Sequence, residues 1–247
     1  MNNVYIAFFL TFIAGFSTMI GIIFIFFKIS NEFKLICSSL AFTSGVMFSI
    51  SIFDLLPFSF RMLIGYGDIF IFFCSTSFFL IGIYLSFFID KYVDFIESNS
   101  LYKVGIVSMV GMFIHNIPEG IITFISVTKD IRLGIFMCIA IGLHNIPEGI
   151  AIGVPIYYAT LSKFKTFCYT FVAGFAEFFG AVITYLFLYR YISNFVLGVL
   201  FSLTAGIMIQ ISLFEMLKTS FSYRMKHLTV IFFLIGFFVM IINFMLL

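Results

Sequence analysis

Charge is what this sequence has least of. Only 10% of its 247 residues are Asp, Glu, Lys or Arg, against about a quarter in soluble domains. Hydrophobic residues make up 63%, and the mean hydropathy is +1.22. Such a chain has too few polar residues to clothe a solvated globule, and no nucleic-acid partner is expected of it. Tryptophan is absent, which leaves the 12 tyrosines as the aromatic anchors for a membrane interface. The cysteines are few and scattered. Cys37, Cys74, Cys138 and Cys168 lie in apolar runs with no C-x-x-C spacing, which argues against a disulfide scaffold and against a thiolate zinc site. The first apolar run, Val4–Phe27, has no basic n-region and no small-residue cleavage site. It is read as a span and not as a signal peptide.

What is present is a series of apolar runs of about the 20 residues that cross a bilayer. Cutting at polar breaks gives eight: Val4–Phe27, Leu35–Phe60, Ile69–Ile89, Val104–Thr128, Leu133–Thr160, Phe167–Tyr189, Phe195–Leu217 and Leu228–Leu247. The expected fold is all-α, a polytopic membrane protein with residues 1–247 as one transmembrane domain. The longest polar stretch, Asp90–Lys103, is only fourteen residues and holds no soluble domain. The 40 phenylalanines are read as lipid contact and packing. Basic residues set the orientation. Lys28, Lys34, Lys91, Lys103, Lys163, Lys165, Lys218, Arg224 and Lys226 fall in odd-numbered loops, and Arg61, Lys129, Arg132 and Arg190 in even ones. The positive-inside rule then puts the odd loops in the cytoplasm and both termini outside, in the cell membrane.

Five carboxylates fall within these spans: Asp54, Glu119, Glu148, Glu177 and Glu215. No lysine or arginine lies near the middle of the same spans. Protonation, water in a cavity or a bound cation must therefore stabilise them. The arrangement favours a cation. The string His-Asn-Ile-Pro-Glu-Gly occurs twice, as His115–Gly120 in the fourth span and as His144–Gly149 in the fifth. Residues three and four apart share a helical face, so His115, Asn116 and Glu119 can converge on one point, as can His144, Asn145 and Glu148. Pro118 and Pro147 each remove a backbone donor and are expected to kink their helices, freeing a carbonyl beside the ion. Successive spans run antiparallel, so the two motifs form an inverted pair. The resulting mixed N/O set suits zinc, iron, manganese or cobalt, and two shared carboxylates could bridge two ions about 3.5–4 Å apart.

At these residues the chain resembles the ZIP family of zinc/iron-regulated transporter-like proteins, specifically its bacterial broad-range zinc-uptake branch. In that family the fourth span carries H-N-x-P-E-G and the fifth H-x-x-P-E-G. Ala173–Glu177 is similar to the sixth-span motif, and Ser51–Pro57 and Ser212–Leu217 match the second- and seventh-span motifs in part. The resemblance covers nearly the whole chain. It implies uptake of divalent metal (zinc, with iron, manganese, cobalt and cadmium as further cargoes) and a pathway among spans two, four, five and seven. It adds Glu177 to the ligands, makes Asp54 and Glu215 pathway acids, and admits a homodimer. It implies no resident cofactor. Asp54 stands where the family usually has glutamate, Phe178 and Lys218 where it has proline, and the third loop lacks a histidine run. Two other classes compete on the residues alone. An intramembrane metalloprotease would need a base beside zinc, as in H-E-x-x-H, and both motifs lack it. A passive metal channel or sensor would share the ligands without the transport cycle.

Overall fold

Polar residues at the ends of the apolar runs start the helices. Asn31, Asn99, Asp130, Ser162 and Ser193 each accept a hydrogen bond from a backbone N–H of the first turn that follows, satisfying donors that helix geometry leaves free. The computed structural model describes residues 2–26, 31–188 and 193–246. Among these, eight helices are long and apolar enough to cross a membrane: α1 (Asn3–Gly21), α2 (Glu32–Met62), α3 (Asp68–Ile96), α4 (Ser100–Lys129), α5 (Ile131–Thr160), α6 (Lys163–Phe187), α7 (Asn194–Ser222) and α8 (Lys226–Met245). Phe27, Lys28, Tyr189, Arg190 and Leu247, which the sequence reading used for span ends and loop charge, lie outside the described residues.

The helices sort into two groups. α1, α4, α5 and α6 pack chiefly on one another, as do α2, α3, α7 and α8. Within each group, pairs of glycines let backbones touch. A Cβ on Gly120 of α4 would overlap the Glu177 carbonyl of α6, and one on Gly180 of α6 would overlap the Ile117 carbonyl of α4. The same reciprocal contact joins Gly21 and Gly149 across α1 and α5, Gly45 and Gly236 across α2 and α8, and Gly82 and Gly206 across α3 and α7. Small residues are what membrane helices use to approach closely, because lipid provides no hydrophobic push between them. Between the two groups the contact is softer: Gly111 of α4 faces the Ile211 side chain of α7, not its backbone. The least buried members are α3 and α8, with 17% of their apolar windows buried, against 72% for α2 and α7.

One expectation is corrected. The stretch Asp90–Lys103 is not a loop. Helix continues to Ile96 and resumes at Ser100, because Asp90 and Asp94, one turn apart, both reach Lys103. α4 and α5 run as continuous helices through the motif prolines Pro118 and Pro147, and α5 also through Pro155. One lost hydrogen bond is tolerated when neighbouring helices hold the segment. The irregularities lie elsewhere. α1 is interrupted at Ser17, and π-helical turns occupy Ser51–Leu55 in α2, Thr184–Leu188 at the end of α6 and Ile211–Leu217 in α7. The first carries Asp54 and the third Glu215.

Candidate metal centre

The two motifs face each other on the adjacent helices α4 and α5, and their side chains cross. His115 Nε2 lies 2.9 Å from Glu148 Oε1, and His144 Nε2 lies 3.2 Å from Glu119. Each imidazole therefore pairs with the carboxylate of the other motif and not with the one a turn along its own helix. All four are buried. No three His, Cys, Asp or Glu side chains are gathered closely enough to hold one ion among the described residues. The imidazoles and carboxylates instead pair with each other through one contact each, which leaves His115 Nδ1 and Glu148 Oε2 without a partner.

The asparagines are held from outside the motifs. Asn116 donates through Nδ2 to the Ala173 carbonyl of α6, at 2.9 Å. Asn145 donates to the Ala14 carbonyl of α1 and to Glu177 Oε2 of α6, both at 2.9 Å. With its amide donors engaged, each asparagine is left with a free carbonyl oxygen. Asn116 Oδ1, Asn145 Oδ1, Glu148 Oε2 and Glu177 Oε1 are buried, and no protein donor reaches them. Unpaired buried acceptors are costly. Four in one region, beside two imidazoles, are the chemistry of a site that expects a positive charge.

The motif glycines act by contact rather than by loosening the helix. Gly120 lets the α6 backbone in at Glu177, and Gly149 lets α1 in at Thr18. They are the reason that a third carboxylate and the Ala14 carbonyl stand beside the paired motifs.

The structure thus brings His115, Asn116, Glu119, His144, Asn145, Glu148 and Glu177 into one buried region. Asp54 is outside it, on the wall of a cavity of about 370 Å³ that reaches His144. Arg61, Leu133 and Asn243 line the same cavity, so it opens towards the even-numbered loops. Glu215 is elsewhere, 3.7 Å from Lys103.

A ZIP zinc transporter family model matches residues 96–243, which hold both motifs and Glu177. Full-length relatives agree. A zinc transporter ZupT of Clostridium perfringens is 36% identical over 100% of this chain and 97% of its own. One of Chlorobium phaeovibrioides is 37% identical over 100% of both chains, and one of Campylobacter jejuni is 34% identical over 92% and 91%. The chain belongs to the ZIP family. It is an integral membrane protein of a transporter family, not an enzyme.

Set in this ZIP chain, α1 is the element that sequence reasoning missed. It carries no acid and no histidine, so charge could not point to it. Its signal was the run of small residues Ala14, Gly15, Ser17 and Thr18. Gly15 and Gly174 let α1 and α6 meet backbone to backbone, and a Cβ on Gly15 would lie 3.2 Å from Glu177 Oε2. The Ala14 carbonyl, which also accepts from the Ser17 N–H and hydroxyl where the helix breaks, orients Asn145. The pathway spans implied by the resemblance were two, four, five and seven. Here α1 and α6 complete the centre, while α7 contributes its acid some distance away.

Proposed function

We propose that this protein imports zinc, and divalent metal more broadly, into the cytoplasm through the centre between α4 and α5. The observation that carries the reading is the set of buried oxygen acceptors without protein donors, Asn116, Asn145, Glu148 and Glu177, beside the crossed His–Glu pairs. Cargo reaches His144 by way of the cavity that Asp54 borders. The scarcity of basic residues in the even-numbered loops makes that the outer side. The family and the relatives' name of zinc transporter support zinc as cargo. Iron, manganese and cobalt follow from the same ligand chemistry, which has no thiolate to select against harder ions, and cadmium, a softer ion of the same charge as zinc, from the imidazoles.

Within the centre, Glu119 and Glu148 are shared between two ion positions. His115 and His144 complete one, suited to zinc. Asn116, Asn145 and Glu177 complete the other, which is richer in oxygen. Carboxylates that can pair with imidazole when no ion is bound limit the cost of leaving the site empty, as a carrier that must release its cargo requires. The direct test is uptake of zinc into proteoliposomes holding the purified protein, with iron, manganese and cadmium compared. Saturable zinc uptake that Glu148→Ala removes is expected. The proposal fails if the wild-type protein moves no divalent metal, and a linear flux would make it a channel.

A further inference from the structure

The cavity that reaches His144 opens at one end of the molecule. Between the motifs and the other end, buried apolar residues of α4 and α7 fill the interior. Val104, Val107 and Met112 of α4 and Ile207, Met208 and Ile211 of α7 are fully buried apolar residues of one core cluster. Gly111 sits against the Ile211 side chain. A cation leaving towards the odd-numbered loops would need this layer to part.

At the outer rim of that layer stands a cluster of four charges. Lys103, in the first turn of α4, lies 2.5 Å from Asp90 and 2.8 Å from Asp94 of α3, and 3.7 Å from Glu215 of α7. The ammonium and Glu215 are nearly buried, while Asp94 is the exposed member. The membership is one-sided. Lys103 belongs to the helix group that carries the metal motifs, and all three acids belong to the other. Within a group, glycine pairs lock backbones together; across this boundary Gly111 meets the side chains of Ile207 and Ile211 and no backbone. The boundary is therefore the surface along which the molecule can open with its helix pairs intact, and the Lys103 cluster is an ionic tie across it. Lys103 is also twelve residues before His115 on one continuous helix, about 18 Å at 1.5 Å per residue. A change at the tie is carried to the ligands by a rigid rod.

We propose that Lys103, with Asp90, Asp94 and Glu215, is a latch that keeps the cytoplasmic end closed, and that it must release before cargo can leave inward. The latch rests on the import reading above, because only an importer needs this end to open for discharge. Removing the lysine does more than delete a contact. It leaves three carboxylates, two of them mostly buried, with Lys218 as the remaining cation near Glu215, and a buried pair that loses one partner is strongly destabilised. The closed arrangement should then give way.

The test is thiol labelling of a buried position behind the latch. Ser108 is fully buried and shares a helical face with Gly111, which faces Ile211. In Ser108→Cys protein in inside-out vesicles, a membrane-impermeant maleimide is applied without metal, and modification is read residue by residue by mass spectrometry. The native buried Cys37, held among α2, α7 and α8 by Ser220 and Thr229, is the internal control. Adding Lys103→Met should speed labelling at position 108 on the order of tenfold, the scale of losing a charge-assisted contact, with Cys37 unchanged. Lys103→Arg should keep the slow rate. An unchanged rate at position 108 in folded Lys103→Met protein overturns the latch, as does a parallel rise at Cys37, which would mean general loosening. If Lys103→Met does not fold, Asp94→Asn removes the exposed leg alone. A smaller rise is then expected, and a flat rate overturns the proposal. Because no transport is measured, failure of uptake would sink the import reading and leave the labelling result to be judged separately.

Discussion

His115 bonds to Glu148 on the neighbouring helix, not to Glu119 one turn along its own. The partnership is returned by His144 and Glu119, so the two motifs form one interlocked unit. Each glutamate is the partner of the opposite imidazole, and in the proposed function each is also a ligand for cargo.

Glu119→Ala and Glu148→Ala should each reduce zinc uptake to background while the protein remains folded and membrane-inserted. Each also strands a buried histidine, so the variants should melt at a somewhat lower temperature than wild type. Near-normal zinc uptake by either variant, measured in proteoliposomes at equal protein content, would remove the shared-carboxylate reading.

The two proposed ion positions differ in ligand softness. Imidazole favours zinc, and amide and carboxylate oxygens favour harder ions. His144→Ala should therefore lower zinc uptake more than iron or manganese uptake, and Asn145→Ala the reverse. Competition between zinc and manganese in the same vesicles gives the ratio directly. Identical ratios in the two variants would argue for a single undivided site.

Protons should compete with cargo. Imidazole must be neutral and carboxylates ionised to bind metal, so binding releases protons and affinity is lost as pH falls. Free histidine titrates near pH 6.5, and zinc binding should weaken between about pH 7.5 and 5.5. Calorimetry in buffers of different ionisation enthalpy counts the protons released at neutral pH. A count of zero with flat affinity across that range would exclude His115 and His144 as ligands.

Gly120 tests the packing that brings α6 to the motifs. Its Cβ would overlap the Glu177 carbonyl, so Gly120→Ala must push α6 away. Overpacking of this kind costs about 1–3 kcal/mol, and both thermal stability and uptake should fall. Gly65 is a contrast. It has no neighbour within 4 Å of an added Cβ, but its φ is +109°, so Gly65→Ala should cost only the backbone strain, with uptake kept. A Gly120→Ala protein as stable and active as wild type would show that α6 can retreat freely.

Much of this was legible in the residue order. Eight spans follow from runs of apolar residues, and the doubled motif identifies itself because chemistry so costly in lipid is written twice. The crossed pairing was not legible. Helical spacing says which residues share a face, but not whether His115 prefers Glu119 or a carboxylate on the next helix. The part played by Ala14 was hidden because a backbone carbonyl has no signature in sequence. The reading of Asp90–Lys103 as a loop failed for a related reason. Polar residues were taken as ends of spans, whereas the helix continues past the apolar stretch to pair its acids with a lysine.

The two helix groups also bear on how the protein is made. Neither is contiguous in the chain. α1 must wait for α4, α5 and α6 before Gly21 and Gly149 can meet, and α2 must wait for α8, the last helix, before Gly45 finds Gly236. During synthesis the early helices stand in the bilayer without their final partners, and Asp54 enters lipid long before Asn243 arrives to help enclose its cavity. Assembly is therefore a late event governed by contacts distant in sequence, which are slow to form. A nascent chain stalled before α8 would leave α2 without its lock and exposed to membrane quality control.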